Sequence, residues 1–562
     1  MNPTILEAPD ESAAADCSPI RRGGLPPPAP IDQVETADAE LPTIGGEIGA
    51  SESNAAARGL RTDSLAASVA ILLVLSIVQR LIGFARQILV CRWLEPNQLG
   101  EWDICFKFLM LGAPLAVMGL PGSFGRYLEY YRRRGHLKTF LRRTAAVCTI
   151  LACLATIAIG ALRHWVSELV FATPDQTEMV LLLAVCLIAL AAYNFLTDML
   201  TALRMVRVTS IVQFASGLLF AVFSIALLLG WRQNAAAIVV AYAGSCAVAL
   251  VVTLVWLRGT WRSIADSAEP LPHRQLWSKL VPFAAWLWSV NLLYNLVGVV
   301  DRYMMMHFAP TSDPLTLVGH YHSSQVVPML MVSMCGLIGG IIMPHLSHDW
   351  ETGRTTDVAT KLNLTIKLLG LAMLAGSVAT LFGAPLLFGV AFHGKYEGGF
   401  EILPWTLIYC VWMALIPLAQ MYLWCAERPT LASLALAGSL VVNVALCFFL
   451  LPRFGLHGVV WATAAANLFA LACIYRFNQW LGLRLDAGVW LITLLPLALA
   501  AGPWFSLATL VAVAIGVFLT DRVLNYSEKQ LLTAVWRERA SARRAGGCIA
   551  ADSDRIGEKR CR

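Results

Sequence analysis

The stretch VPFAAWLWSVNLLYNLVGVVDRYMMMHF, residues 281–308, decides the fold class. It exceeds the ~20 apolar residues that carry a helix across a bilayer. Yet Asn291, Asn295, Gly298 and Arg302 recur within it at i, i+4, i+7 and i+11, which puts them on one helical face with Asp301 beside them. An ionised side chain at mid-bilayer costs ~2.5–3.5 kcal/mol on insertion scales, so such a face turns to a water-filled cavity or a partner helix rather than to lipid. Two readings follow: the stripe lines a cavity, or Asp301 and Arg302 tie this segment to a neighbour.

The rest of the chain is of the same kind. Its 562 residues are 58% hydrophobic and 14% charged, with a mean hydropathy of +0.65. A soluble domain is about 45–50% apolar and about 25% charged. The excess predicts an all-α polytopic membrane protein and leaves no basic groove for nucleic acid. Apolar runs of spanning length fall at 64–90, 99–120, 144–162, 177–200, 209–230, 234–257, 281–308, 316–343, 364–391, 401–425, 430–451, 458–476, 487–502 and 503–520, about 14 transmembrane helices. Gly502-Pro503 is the sole turn signal between the last two, which are two helices or one broken one. Residues 1–62, rich in Ala, Pro and acids and without the apolar core of a signal peptide, read as a disordered cytoplasmic tail, and 526–562 as a basic cytoplasmic tail. The cysteines fall mostly inside apolar runs, with no Cys-x-x-Cys pair, and read as small hydrophobes rather than metal ligands or disulfides.

Lys and Arg total 18 in the connections after even-numbered segments against 5 after odd-numbered ones, where they are Arg92, Arg163, Arg232, Lys395 and Arg453. The positive-inside bias places both termini in the cytoplasm of a cell whose cytoplasmic membrane holds the chain. The two halves align at an offset near 220. Gly100-Glu101-Trp102 opens segment two and Gly319-His320-Tyr321 opens segment eight, Thr209 and Thr430 start segments five and eleven, and Arg80 falls opposite Asp301. Six segments per half make the repeat parallel. The expected domains are a six-helix lobe at 63–270, a second at 271–480, and a terminal helix pair at 481–525.

Few charges lie inside the spans. Arg80 and Arg86 flank Gly83 in segment one, about 120° apart around the helix, so both can border one wide cavity. Asp103 and Lys107 in segment two, at i, i+4, can neutralise each other. Asp198 lies near the end of segment four. Arg80, Arg86, Arg302, Asn291 and Asn295 are the candidate cavity residues; Asp301, Asp198, Asp103 and Lys107 are candidates for coupling or gating. His320 and His322 read as capping or hydrogen-bonding groups. Pro114, Pro328, Pro404 and Pro417 interrupt spans and permit bending or fixed kinks. No Walker loop, nucleophile elbow or His-Glu-x-x-His site is present, so no catalytic residue, metal or cofactor is assigned. Transport is the simplest use of a charged cleft without chemistry.

Several stretches together carry a family resemblance. They are Gln79-Arg80-Leu81-Ile82-Gly83-Phe84-Ala85-Arg86, the Gly100-Glu101-Trp102 opening, Leu120-Pro121 with Arg126-Tyr127, Val300-Asp301-Arg302-Tyr303, Gly319-His320-Tyr321, and the run from Leu451-Pro452-Arg453-Phe454-Gly455 to Trp461-Ala462-Thr463. Distributed over about 64–480, they resemble the polysaccharide transporter and O-antigen flippase branch of the multidrug/oligosaccharidyl-lipid/polysaccharide exporter superfamily. The resemblance implies a V-shaped transporter that moves a lipid-linked glycan by alternating access, working beside membrane lipids and glycan polymerases or glycosyltransferases. It implies that Arg80 and Arg86 bind a diphosphate, as first-segment arginines do in the related lipid II flippases. Segment one lacks the acidic cluster of the superfamily's drug antiporters, which counts against the alternative of a multidrug or cation antiporter. The second alternative, a membrane-embedded glycan polymerase or ligase, would need a large extracytoplasmic loop.

Overall fold

The computed structural model describes residues 65–263 and 272–520, with 523–526, 528–530 and 533; the tails read at 1–62 and beyond 533 lie outside the described residues. The described chain is helical: α1 Leu65–Trp93, α2 Pro96–Ala116, α3 Phe124–Arg133, α4 Leu137–Ala161, α5 Arg163–Phe171, α6 Thr177–Ala202, α7 Val206–Gly230, α8 Ala235–Ser263, α9 His273–Phe308, α10 Pro314–Glu351, α11 Thr355–Leu386, α12 Glu397–Cys425, α13 Pro429–Phe454, α14 Leu456–Trp480, α15 Ala487–Leu494 and α16 Pro503–Leu519. Among the described residues eleven helices are long and apolar enough to cross a membrane, and a bent pair adds a twelfth. The chain is thus a multi-pass membrane protein. Starts follow local rules: Pro occupies the first turn of α2, α10, α13 and α16, where its missing N–H costs nothing, and Asp313 caps α10 by accepting from Thr316 N at 3.2 Å.

Three boundaries differ from the sequence reading. The exit of segment two is structured, not a loop. Met118 and Gly119 adopt positive φ, a 3-10 turn runs from Leu120 to Ser123, and α3 leaves at 60° to α2. Phe124, Leu128 and Tyr131 bury one stripe of α3 while Arg126, Arg132 and Arg133 face out. Segment eight continues through Pro344 to Glu351: a proline frees one carbonyl and kinks a helix without having to end it. Segments 13 and 14 are two helices: α15 tightens into a 3-10 turn, Leu495–Ala501, and Gly502 breaks the chain at φ +100°, a conformation a side chain would strain.

Packing repeats between the halves. In the first, α1 packs on α7, α4 on α6, α6 on α8 and α7 on α8; in the second, α9 packs on α13, α11 on α12, α12 on α14 and α13 on α14. The pair α15 and α16 lies against α11, with the 3-10 turn against α12. The halves meet where α2 crosses α10. A Cβ on Gly100 would overlap the Leu315 carbonyl and stand 2.9 Å from Gly319 N, and one on Gly319 would overlap the Pro96 carbonyl. The two glycines matched by the repeat are therefore each other's contact, as an axis along the bundle requires. At the same end Lys395 Nζ reaches Glu95 Oε1 at 2.8 Å and Tyr396 OH donates to the Leu94 carbonyl at 3.0 Å.

Candidate functional site

The helices α1 and α9, equivalent under the repeat, are loosely covered along their middles. No residue of α1 from 73 to 89 is buried, nor any of α9 from 285 to 300. The ends of α9 behave differently: Leu276, Leu280 and Ala284 are buried against the first half, and Asp301, Arg302 and Met304–Met306 where α2 meets the second half. Its middle therefore strides between halves, carrying Asn291, Asn295 and Gly298. Asn295 Nδ2 donates to the Asn291 carbonyl at 2.8 Å and to Asn291 Oδ1 at 2.6 Å.

Between α1, α2 and α10 lies a cavity of about 290 Å³ whose lining includes Arg80, Gln87, Asp103, Lys107, His322 and Gln325. Arg80 Nε is enclosed and has no hydrogen-bond partner. A Cβ at Gly83 would meet nothing, so α1 stands clear of its neighbours beside Arg80.

Asp103 is the cavity's carboxylate and it is already committed. Its Oδ2 accepts from Arg302 Nε at 2.8 Å and its Oδ1 lies 2.7 Å from His322 Nδ1. Arg302, 5% exposed, also donates to Gln325 Oε1 at 2.6 Å and lies over the Tyr321 ring at 4.7 Å. Gln325 donates to Tyr409 OH at 2.6 Å, and Gln87 on α1 contacts His322. Tyr321 OH donates to Asp301 Oδ2 at 2.8 Å, which also lies 3.0 Å from Thr463 Oγ1. Asp301 Oδ1 is enclosed without a partner. One polar chain thus runs from α1 through α2, α9, α10 and α12 to α14, crossing between the halves.

Several expectations are corrected by this geometry. Asp103 is ion-paired with Arg302 and in hydrogen-bond contact with His322, and no ion pair with Lys107 forms, because α9 and α10 bring their side chains to the face of α2 on which Asp103 lies. Arg302 is spent on Asp103 and Gln325 and is not among the residues lining the cavity; the tie to a neighbour, not the open stripe, describes it. Asn291 and Asn295 pair with each other and do not line it either. Arg86 turns into the first half. Its guanidinium sits 3.7 Å from the centre of the Phe220 ring, in a cluster of Trp102, Phe106, Phe220 and Tyr242, and its Nε has no partner. The 120° between Arg80 and Arg86 sends one to the cavity and the other to an aromatic wall, where a cation–π contact replaces a carboxylate. Asp198 is exposed, on α6, away from the cavity. His322 hydrogen-bonds as expected.

The sequence reading missed Gln87 and Gln325, whose amides carry no charge to flag them. It also passed over Lys367, fully buried in α11 and held by Glu528 at 2.8 Å and Asp486 at 2.9 Å. A lysine inside an apolar run was the available signal.

Two parallel-repeat lobes with a charged cavity where they meet is the architecture of secondary transporters. The chain belongs to the polysaccharide biosynthesis protein family, whose model matches residues 65–349. Its fold is similar to that of the lipid II flippase MurJ in an inward closed conformation (TM-score 0.61, 11% identity, 80% of this chain and 98% of that one). It is also similar to an inward-facing multidrug resistance MATE family transporter of the MOP superfamily (0.58, 13%, 72% and 94%). A third match is a MOP superfamily transporter from Pyrococcus furiosus, described as having a binding pocket of reverse polarity (0.53, 13%, 75% and 96%). No curated protein matches the chain by sequence.

Proposed function

We propose that the protein is a flippase that moves a lipid-linked oligosaccharide or polysaccharide precursor across the cytoplasmic membrane by alternating access, with both termini cytoplasmic. One observation carries the reading: the central cavity presents Arg80 and Lys107 while its one carboxylate is already paired with Arg302. The surplus is cationic and suits an anionic headgroup such as a diphosphate, which a guanidinium can grip through two oxygens. A cationic drug would meet no free counter-charge, which disfavours the antiporter reading.

The contacts at Gly100–Gly319 and Glu95–Lys395 close the end that the charge bias assigns to the outside. Alternating access then requires α2 to part from α10, and Asp103 of α2 must let go of His322 on α10 and of Arg302 on the neighbouring α9. Asp301, buried with one unpaired carboxylate oxygen beside Tyr321 and Thr463, is the candidate in this reading for coupling the opening to an ion gradient. The cargo's lipid tail stays in the bilayer while the headgroup crosses the cleft.

Complementation of glycan export in a flippase-deficient strain tests the reading. A charge-assisted phosphate contact is worth ~1.5–3 kcal/mol, so Arg80→Ala is expected to weaken export at limiting substrate about ten- to a hundredfold, with Arg80→Lys intermediate. Full export by well-expressed Arg80→Ala with Lys107→Ala would sink the cationic-cavity account.

A further inference from the structure

The repeat supplies an internal comparison. In the second half α11 and α14 stand side by side on α12 with little or no contact between them, and the groove they leave is filled by α15. Trp412 Nε1 on α12 donates to the Thr493 carbonyl at 2.7 Å, Tyr475 OH on α14 lies 3.1 Å from Thr493 Oγ1, and Ile492 presses on Gly370 of α11. In the first half α4 and α8 stand on α6 in the same way. There, among the described residues, no segment fills the groove. It remains a cavity of about 660 Å³, inside the 300–1,000 Å³ range of small-molecule sites.

Its lining is oily: Cys148 and Ala152 from α4, Leu196 and Met199 from α6, Leu254 and Leu257 from α8. Leu254 and Ile188 are 47% and 37% exposed, so the groove opens sideways rather than into the bundle. One end differs. Arg258 and Arg262, one helical turn apart at the close of α8, border it with Trp261 between them, and among the described residues neither arginine has an ion-pair partner. An apolar trough ending in two exposed guanidiniums and an indole has the polarity of a lipid, chain first and phosphate last. A transmembrane helix of another protein fills the trough equally well but gives the arginines no anion.

We propose that this groove holds one anionic phospholipid, its acyl chains lying on α6 and its phosphate between Arg258 and Arg262. The site is separate from the central cavity and stands whether or not the cargo is a glycan. The test is native mass spectrometry of the delipidated full-length chain in neutral detergent, titrated with phosphatidylglycerol or with phosphatidylcholine. The expected result is a single phosphatidylglycerol adduct, with phosphatidylcholine at least tenfold weaker. R258Q with R262Q should weaken the phosphatidylglycerol adduct about thirtyfold and leave phosphatidylcholine unchanged. Ala152→Phe, which fills the trough, should abolish both. Because the arginines are exposed, their double variant keeps the test valid if Ala152→Phe fails to fold. No adduct, equal affinity for the two lipids, an unchanged double variant, or a photo-crosslinker at position 254 capturing a second polypeptide in membranes would each overturn the proposal.

Discussion

Replacing Asp103 by asparagine tests whether the two halves are held together by charge. The carboxylate accepts from Arg302 at 2.8 Å and lies 2.7 Å from His322, and it is 1% exposed. The amide of Asp103→Asn keeps the shape and one acceptor but removes the negative charge, leaving a buried guanidinium with only Gln325 and, at 3.5 Å, the Gly298 carbonyl. Breaking a buried pair by removing one partner costs about 3–5 kcal/mol, because the stranded charge cannot regain water. The reciprocal variant, Arg302→Gln, strands Asp103 less severely, since His322 Nδ1 remains 2.7 Å from its Oδ1. Asp103→Asn is therefore expected near the top of that range and Arg302→Gln near the bottom. The double variant should cost less than the sum, by the coupling energy of the pair. Denaturant unfolding of the purified protein in lipid nanodiscs reads the stabilities. Thiol labelling of a cysteine placed at Glu95 reads separation of the halves and should rise in Asp103→Asn. Unfolding within about 1 kcal/mol of wild type, a small fraction of that cost, together with unchanged labelling would refute the argument, for it would mean that Arg302 finds another counter-charge or that this contact does not close the cleft.

Gly100→Ala is expected to abolish export while leaving the protein in the membrane, since its Cβ would overlap a backbone carbonyl of α10 that cannot yield as a side chain can; Gly319→Ala should match it, and normal export by either would remove the crossing from the mechanism. Lys367→Met strands Glu528, 1% exposed, beside Asp486 and should cost about 3–5 kcal/mol, read as thermal unfolding in detergent. Adding Glu528→Gln and Asp486→Asn should recover most of that loss; no recovery would mean that shape, not charge, decides this site. Arg86→Met should be far milder than Asp103→Asn, because Arg86 leaves no carboxylate behind and a methionine can keep the contact with the Phe220 ring; a loss of export at normal protein levels would return Arg86 to the substrate path.

Much of the plan is legible in the chain because a bilayer leaves the backbone few choices. Uninterrupted apolar runs must be helices, and the spans of the described structure overlie the runs from 64–90 to 503–520. The matched openings at Gly100 and Gly319 were visible as letters, and the reason for them, mutual backbone contact, is visible only in three dimensions. Side-chain pairing was the harder part. Asp103 and Lys107 are four apart and look self-sufficient, but Asp103 is instead met from α9 and α10, about two hundred residues away. Periodicity within one helix ranks local partners and has no access to those brought by another lobe. Arg86 shows the same limit: its angle from Arg80 follows from helix geometry, and the aromatic wall supplied by α7 and α8 does not.

The electrostatics of the cleft join these points into one constraint. A transporter that neutralised every cavity charge would bind nothing anionic, and one that left Asp103 free would hold its own arginines in place of cargo. Here Asp103 is taken up by Arg302 of α9 and His322 of α10, two helices that both pack on α2. That leaves Arg80 and Lys107 in surplus in the closed-end state. If α2 leaves both α9 and α10, Asp103 leaves Arg302 and His322 and becomes available to Lys107 one turn away, so the cavity loses net attraction for an anion as that end opens. One movement then both frees Asp103 and weakens the hold on an anion, which makes the Asp103–Arg302 pair the place where the halves and the charge balance of the cavity meet.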